Sequence, residues 1–117
     1  MVEISKADWK LFRERIPEWQ ENYMGRLIEE YIKLLKSSGN PSDRFWKLEK
    51  RIKRDSKHPG VMIQLEKSEA LWDIVTLIRK KVITFKDLDG FSEDLKDSVK
   101  ELLDRTGGMQ NGGNQRK

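Results

Sequence analysis

The sequence has 117 residues, of which 38% are charged, and a formal net charge of +4. This length predicts a single domain, and four Trp, four Phe and two Tyr argue against a chain that is disordered throughout. The lack of cysteine excludes disulfides and thiolate metal sites. No uncharged run approaches the ~20 residues that cross a bilayer, and the first residues lack the regions of a signal peptide. We therefore predict a cytoplasmic protein.

The first two predicted helices meet at a proline. Ser5 is followed three residues later by Asp8, which is typical of a helix N-terminus. Apolar residues then recur every three or four positions and predict a helix over 5–16. Because Pro17 has no backbone N–H to donate to a helix that runs into it, we predict a corner there and a second helix over 17–37. A single kinked helix is the alternative.

The second helix carries the broadest apolar face in the sequence. Its apolar and aromatic positions recur every three or four residues: Trp19, Tyr23, Met24, Leu27, Ile28, Tyr31, Ile32, Leu34 and Leu35. This stripe is wider than a coiled-coil seam, so it predicts either the hub of the fold or part of an interface. Gly25 costs about 1 kcal/mol relative to alanine inside a helix. We interpret it as a point of close approach by another helix.

Two breaks separate the next helices. Residues 38–41, Ser-Gly-Asn-Pro, end one helix and begin another, which is predicted over 41–55. Within it, the residues predicted to face the core are Phe45, Leu48 and Ile52, with Trp46 at the edge of that face. The His-Pro-Gly turn at 58–60 precedes a fourth helix over 60–82, whose apolar segment 71–78 predicts the centre of the core.

Capping residues predict where the last two helical elements begin. Thr84 and Asp87 have the spacing of a capping box and predict a short helical turn near 85–89. Ser92 precedes two acidic residues and predicts the N-terminus of a helix over 92–105. The Gly/Asn/Gln-rich segment 106–117 predicts a disordered tail. The fold class is therefore all-α, a compact bundle of about five helices in a single domain over 1–105.

Three segments resemble a group of small uncharacterised helical proteins of Gram-positive bacteria. They are DWKLFRERIPEWQENYM at 8–24, NPSDRFWKLEKRIK at 40–53 and ITFKDLDGFSEDLKDSVKELL at 83–103. The resemblance covers roughly residues 5 to 105. It implies a small bacterial helical protein, but it supplies no activity and no catalytic or binding residue.

The third helix is strongly basic. Residues 44–57 contain seven positive and two negative side chains, a net charge of +5. The cations best placed to contact phosphates are Arg44, Lys47, Lys50, Arg51 and Arg54. Residues 87–104 contain seven acids and two lysines, a net charge of −5. If the two segments are neighbours, their charges largely cancel and the basic face is structural.

No pattern of residues points to catalysis. His58 is the only histidine, and its turn predicts a surface loop. The Asp-Leu-Asp-Gly sequence at 87–90 lacks the ligand spacing and the closing glutamate of a calcium loop. The sequence therefore predicts neither a metal nor a cofactor, and we do not expect an enzyme.

Aromatic residues supply the candidate partner-binding positions, because Trp and Tyr concentrate binding energy at interfaces. These positions are Trp19, Tyr23, Tyr31 and Trp46. We expect a small soluble helical module that binds another protein or self-associates. The alternative is a nucleic-acid-associated protein that uses the basic helix 44–57.

Overall fold

The computed structural model describes residues 3–105, which contain helices and turns but no strand. The α-helices are α1 (Lys6–Lys36), α2 (Pro41–Asp55), α3 (Ala70–Arg79) and α4 (Glu93–Arg105), with single 3₁₀ turns at Lys67–Glu69 and Phe85–Leu88. The predicted all-α class is confirmed. The described residues form four α-helices rather than five, and the predicted tail lies outside them.

The first two predicted helices are one continuous helix, α1, which contains Pro17 in its interior. The predicted corner is wrong, and the single-helix alternative is found. Proline in a helix interior costs about 3 kcal/mol through its lost hydrogen bond and ring clash. Ile16 and Trp19 flank Pro17 and are both buried in the same core. Burial on both sides of the proline, at about 1.5–3 kcal/mol for each large side chain, offsets the cost of continuing the helix.

The predicted helix over 60–82 is too long, because α3 occupies only Ala70–Arg79. The preceding segment 61–66 is not helical. Val61 and Ile63 are partly buried, whereas Met62 between them is exposed. Val61 N and Met62 N both donate to the carbonyl oxygen of His58, so this segment begins in a turn and not in a helix. Apolar spacing alone did not separate this segment from the helix that follows it.

The core lies between the first half of α1, α3, α4 and the turn that joins the last two helices. Its buried members include Phe12, Ile16, Trp19, Leu71, Ile74, Val75, Leu77, Leu88, Phe91, Leu95, Val99 and Leu103. The predicted core centre at 71–78 is confirmed. The last helix, α4, contributes Leu95, Val99 and Leu103 as its buried residues.

Helix caps connect the two ends of the chain. Ser5 Oγ accepts a hydrogen bond from Asp8 N at 3.1 Å, and Ser92 Oγ accepts one from Leu95 N at 3.1 Å. Both predicted N-caps are therefore confirmed. Ser92 Oγ also donates to Asp8 Oδ2 at 2.6 Å, and Ser92 N donates to Asp8 Oδ1 at 3.0 Å. The buried carboxylate of Asp8 thus fixes the start of α4 on the first turn of α1.

Two glycines give opposite expectations for alanine substitution. A Cβ at Gly25 meets no described atom within 4 Å, so the interpretation of this residue as a close-packing point is wrong. Gly25→Ala should therefore stabilise the fold by about 0.5–1 kcal/mol, the difference in helix propensity. A Cβ at Gly60 lies 2.7 Å from Cγ of Tyr23. Gly60→Ala should destabilise by about 1–3 kcal/mol, since the packed ring must move.

Thermal unfolding followed by far-ultraviolet circular dichroism measures both changes. A higher melting temperature is expected for Gly25→Ala and a lower one for Gly60→Ala. A lower melting temperature for Gly25→Ala contradicts the open environment of this residue.

Candidate functional site

The second half of α1 and the antiparallel α2 form a hairpin that is held together mainly by polar contacts. Arg51 Nη2 donates to Glu30 Oε1 at 2.6 Å, and Tyr31 Oη donates to Asp55 Oδ2 at 2.6 Å. Arg44 Nη1 donates to the carbonyl oxygen of Ser37 at 2.6 Å, across the turn that joins the helices. The side of α2 that faces α1 is therefore polar.

Asp55 is the centre of these contacts and the one buried residue of α2, at 5% exposure. Burial by itself raises its pKa, but hydrogen bonds from Tyr31 and Arg54 and the charges of Arg54 and Arg51 outweigh burial and hold the pKa below its ordinary value. Burial and the hydrogen bond to Asp55 raise the pKa of Tyr31 to about 12. The guanidinium of Arg51 also lies 5.4 Å from the Tyr31 ring centroid. Asp55 is thus ionised at neutral pH and joins both helices.

One flank of the hairpin is apolar and uncovered. Five large side chains there are 39% to 61% exposed: Ile28, Ile32, Leu35, Phe45 and Ile52. We call this set the hairpin apolar face. Ile28 of α1 and Ile52 of α2 line the same groove, of about 230 Å³. Ile32 and Leu35 follow Ile28 by four and seven residues, and Phe45 precedes Ile52 by seven, so each helix continues the groove as a stripe.

The predicted inward orientation of Phe45 and Ile52 is therefore wrong. Arg51 and Asp55 face α1, because they form the polar contacts with Glu30 and Tyr31. At 3.6 residues per turn, Phe45 and Ile52 lie about a quarter of a turn away from that contact line. The amphipathic pattern correctly grouped these residues on one face of α2. The polar contacts between α2 and α1 leave that face exposed to solvent.

Trp46 adjoins the hairpin apolar face. Its ring meets the ring of Phe45 edge to face, with centroids 4.9 Å apart and an interplanar angle of 85°. Trp46 is 62% exposed and Phe45 is 61% exposed. An exposed pair of large aromatic side chains is characteristic of an interface anchor rather than of a solvated helix.

The opposite flank of α2 is basic. Lys47, Lys50 and Arg54 border an open concave surface of about 520 Å³ together with Leu34 and Arg51. The other predicted phosphate contacts are engaged within the protein, since Arg44 binds the Ser37 carbonyl and Arg51 binds Glu30. Arg54 also contacts Asp55, so Lys47 and Lys50 are the cations of the predicted set that remain available on this flank.

The basic and acidic segments do not pair with each other in the described part of the chain. The ion-pair partners of the basic helix are Glu30, Glu49 and Asp55. Within the acidic segment, Glu93 pairs with Lys96, and Glu101 pairs with Arg105. The two net charges do not cancel through direct ion pairs, and the basic flank keeps its charge.

The other predicted partner-binding aromatics support the fold. Trp19 is buried and its ring stacks on Phe91 with centroids 6.3 Å apart. Tyr23 is partly buried, and its ring stacks on His58 at 4.6 Å with an interplanar angle of 11°. His58 Nδ1 accepts from Gly60 N at 3.0 Å, so the neutral ring carries its proton on Nε2, 3.3 Å from Tyr23 Oη. Burial, followed by the charge of Lys80, lowers the pKa of His58. His58 therefore has a structural role in the turn at 58–60.

Asp73 in the first turn of α3 has a pKa that is shifted from its ordinary value. Burial, followed by the charges of Glu69 and Glu66, raises its pKa to about 6. Its Oδ2 is buried and has no hydrogen-bond partner among the described residues. The described residues contain no cluster of three or more side chains arranged to hold a metal. Asp73 therefore carries a desolvation penalty, and the charges of Glu69 and Glu66 add to it.

Comparison with protein-family models, with curated proteins and with solved structures finds no match for this chain. The resemblance to the Gram-positive group stays a prediction. In the described residues, no helix is both long and apolar enough to cross a membrane.

Asp55→Asn should lower the free energy of unfolding at pH 7 by about 1–3 kcal/mol, because it weakens a buried, charge-assisted network. The pKa of Asp55 is lower in the folded state than in the unfolded state. Its contribution is therefore present above the unfolded pKa of ~3.9 and is lost as the pH falls through the folded pKa. Urea unfolding at pH 7 and at low pH should show the difference from wild type shrinking on acidification. Glu49→Gln, at a partly exposed position of α2 whose carboxylate pairs with Lys53, is the control, and an equal loss in both variants contradicts the role of Asp55.

Asp73→Asn should stabilise the protein at neutral pH, because it removes a buried charge without a partner. The folded pKa of about 6 lies above the unfolded value, so the penalty is complete above the folded pKa and disappears as the pH falls toward ~3.9. The melting temperature of Asp73→Asn should exceed that of wild type at pH 7.5, and the two should converge near pH ~4. Asp97→Asn, at an exposed position of α4, is the control. A lower melting temperature of Asp73→Asn at pH 7.5 contradicts the penalty.

Proposed function

We propose that this chain is a protein-interaction module that binds its partner through the hairpin apolar face. The observation that carries the proposal is the continuity of five exposed large side chains across two helices. Contiguous apolar patches of this kind on a protein surface mark interaction sites, whereas scattered exposed apolar residues do not. Polar residues border the face, as in the rim of a protein interface.

The energetics of the hairpin support the same function. Among the described residues, α2 buries no hydrophobic side chain, and the second half of α1 buries Leu27 alone. Helices in proteins draw most of their stability from packing an apolar face. Ion pairs between the helices are a weak substitute, because desolvation consumes much of their attraction. A partner that covers the face supplies the apolar contact that the hairpin lacks.

The aromatic pair supplies the strongest anchor. Phe45 and Trp46 stand at the end of α2 that is joined to α1 by the short turn, and both rings are mostly exposed. Trp is enriched among the few residues that carry most of the binding energy of an interface. Of the aromatic residues that the sequence suggested for partner binding, Trp46 is therefore the one that we assign to direct contact.

A second candidate is nucleic-acid binding by the basic flank. The observation that favours it is the open concave surface bordered by Lys47, Lys50 and Arg54. Each neutralised phosphate releases counterions, so affinity falls as salt rises. Because few cations line this surface, the expected contact is short and weak at physiological salt. The apolar face has no role in this alternative, which makes the two functions separable by mutation.

The test is affinity capture from a nuclease-treated lysate with the full chain as bait. A specific protein should be recovered, and Trp46→Ala should weaken its binding by about 2 kcal/mol, the usual cost of removing an anchor. Phe45→Glu should abolish recovery, because it places a charge in an apolar contact. Leu65→Glu, which changes an exposed apolar residue outside the face, is the matched control.

If the wild type and Phe45→Glu recover the same protein, that protein does not bind through the hairpin apolar face. Low-salt binding to duplex or single-stranded nucleic acid that is lost in the Lys47→Glu, Lys50→Glu double variant establishes the second candidate instead. Circular dichroism of every variant verifies that the helices are intact.

A further inference from the structure

We infer that the hairpin apolar face is covered by a second copy of this chain, so that two hairpins form a four-helix bundle about a twofold axis. This inference rests on the proposed function, because both use the same face. It goes further than the proposed function, because it names the molecule that covers the face. The grounds are the shape of the face, the charges at its border and its area.

The face has the shape of one layer of a helical bundle. Ile28, Ile32 and Leu35 have the i, i+4, i+7 spacing that aligns side chains along one side of a helix. On the antiparallel α2, Phe45 and Ile52 continue this surface. A layer of helices requires a second apolar layer opposite it. A twofold-related copy supplies an identical layer, and twofold dimers are by far the commonest oligomers.

The border of the face carries balanced charges. On α1, Glu29 precedes Ile32 by three residues and Lys36 follows it by four, so both lie beside it on the helix surface. On α2, Glu49 and Lys53 form an ion pair of 3.0 Å. Each helix thus contributes one acid and one base, and the border has no net charge.

A neutral border fits a second copy better than an acidic partner. Two identical borders with both signs meet without net repulsion, and their acids and bases are able to pair across the twofold axis. A strongly acidic partner gains nothing on this side, because the surplus cations Lys47, Lys50 and Arg54 line the other flank of α2. In the dimer these cations stay on the outside of the bundle.

The area of the face is suitable for a dimer of moderate affinity. From their fractional exposures, its five side chains expose on the order of 500 Å², at the upper end of the largest apolar patch on a typical monomer. With Trp46 and the four charged border residues, the surface approaches the ~800 Å² that each partner buries in an interface of standard size.

The first experiment measures the mass of the purified full chain by sedimentation equilibrium over a wide range of protein concentration. The mass should rise toward twice the 13.9 kDa of one chain. The Ile32→Glu, Phe45→Glu double variant should dissociate at least about 100-fold more readily, since two charges enter an apolar contact. Ile32→Ala with Phe45→Ala is the milder variant and should shift dissociation in the same direction. Leu65→Glu should behave like wild type.

A chain that stays monomeric at all concentrations overturns the inference. So does a dimer that is unaffected by either double variant. Dissociation should change little with added salt, because the contact is apolar and its border neutral. A dimer that dissociates steeply with salt points to a charged contact elsewhere and also overturns the inference.

The second experiment separates this inference from the proposed function. Phe45 is replaced by the photoreactive amino acid benzoylphenylalanine in cells, and mass spectrometry identifies the crosslinked peptides. Crosslinks that join two copies of this chain, recognised by twice the 13.9 kDa mass of one chain, support the second copy. Crosslinks to a different protein alone overturn the second copy and leave the proposed function standing. Absence of any crosslink, with the same residue at position 65 as control, removes both.

Discussion

The hydrogen bond from Tyr31 to the buried carboxylate of Asp55, with the ion pair of Arg51 beside it, sets the orientation of α2 on α1. Because these polar groups must face each other, the apolar side of α2 is rotated out of the intramolecular contact. Phe45 and Ile52 consequently join the exposed stripe of α1 instead of burying it. The candidate site is thus a direct result of how a buried charge is satisfied.

This arrangement divides α1 into two parts with different stabilising forces. In the first part, Phe12, Ile16 and Trp19 pack into the apolar core, and burial of this kind tolerates Pro17 in the helix. In the second part, polar contacts hold α2, and apolar side chains stay in solvent. One rigid helix therefore presents the hairpin at a fixed position relative to the core. A fixed apolar surface loses little conformational entropy on binding, which favours association.

Local patterns in the sequence were sufficient to predict the caps at Ser5 and Ser92, the breaks, and the core centre in α3. These features depend on residues a few positions apart. The orientation of α2 was predicted wrongly, because it depends on a contact between Tyr31 and Asp55, 24 positions apart. Helical periodicity identifies which residues share a face, but it does not identify the neighbour of that face. The interface alternative for the stripe of α1 remained open for the same reason.

Binding at the two flanks of α2 should differ in its dependence on ionic strength, and this difference has a structural origin. On the apolar flank, acids and bases balance, so association there depends on excluding water from Phe45, Ile52 and their neighbours. On the basic flank, Lys47, Lys50 and Arg54 lack acidic neighbours in equal number, so any binding of an anion there is attenuated by salt. A twofold dimer through the apolar flank leaves two basic flanks on its outer surface. The proposed self-association and the alternative anion binding would therefore use different residues, and a mutation on one flank would leave the other flank intact.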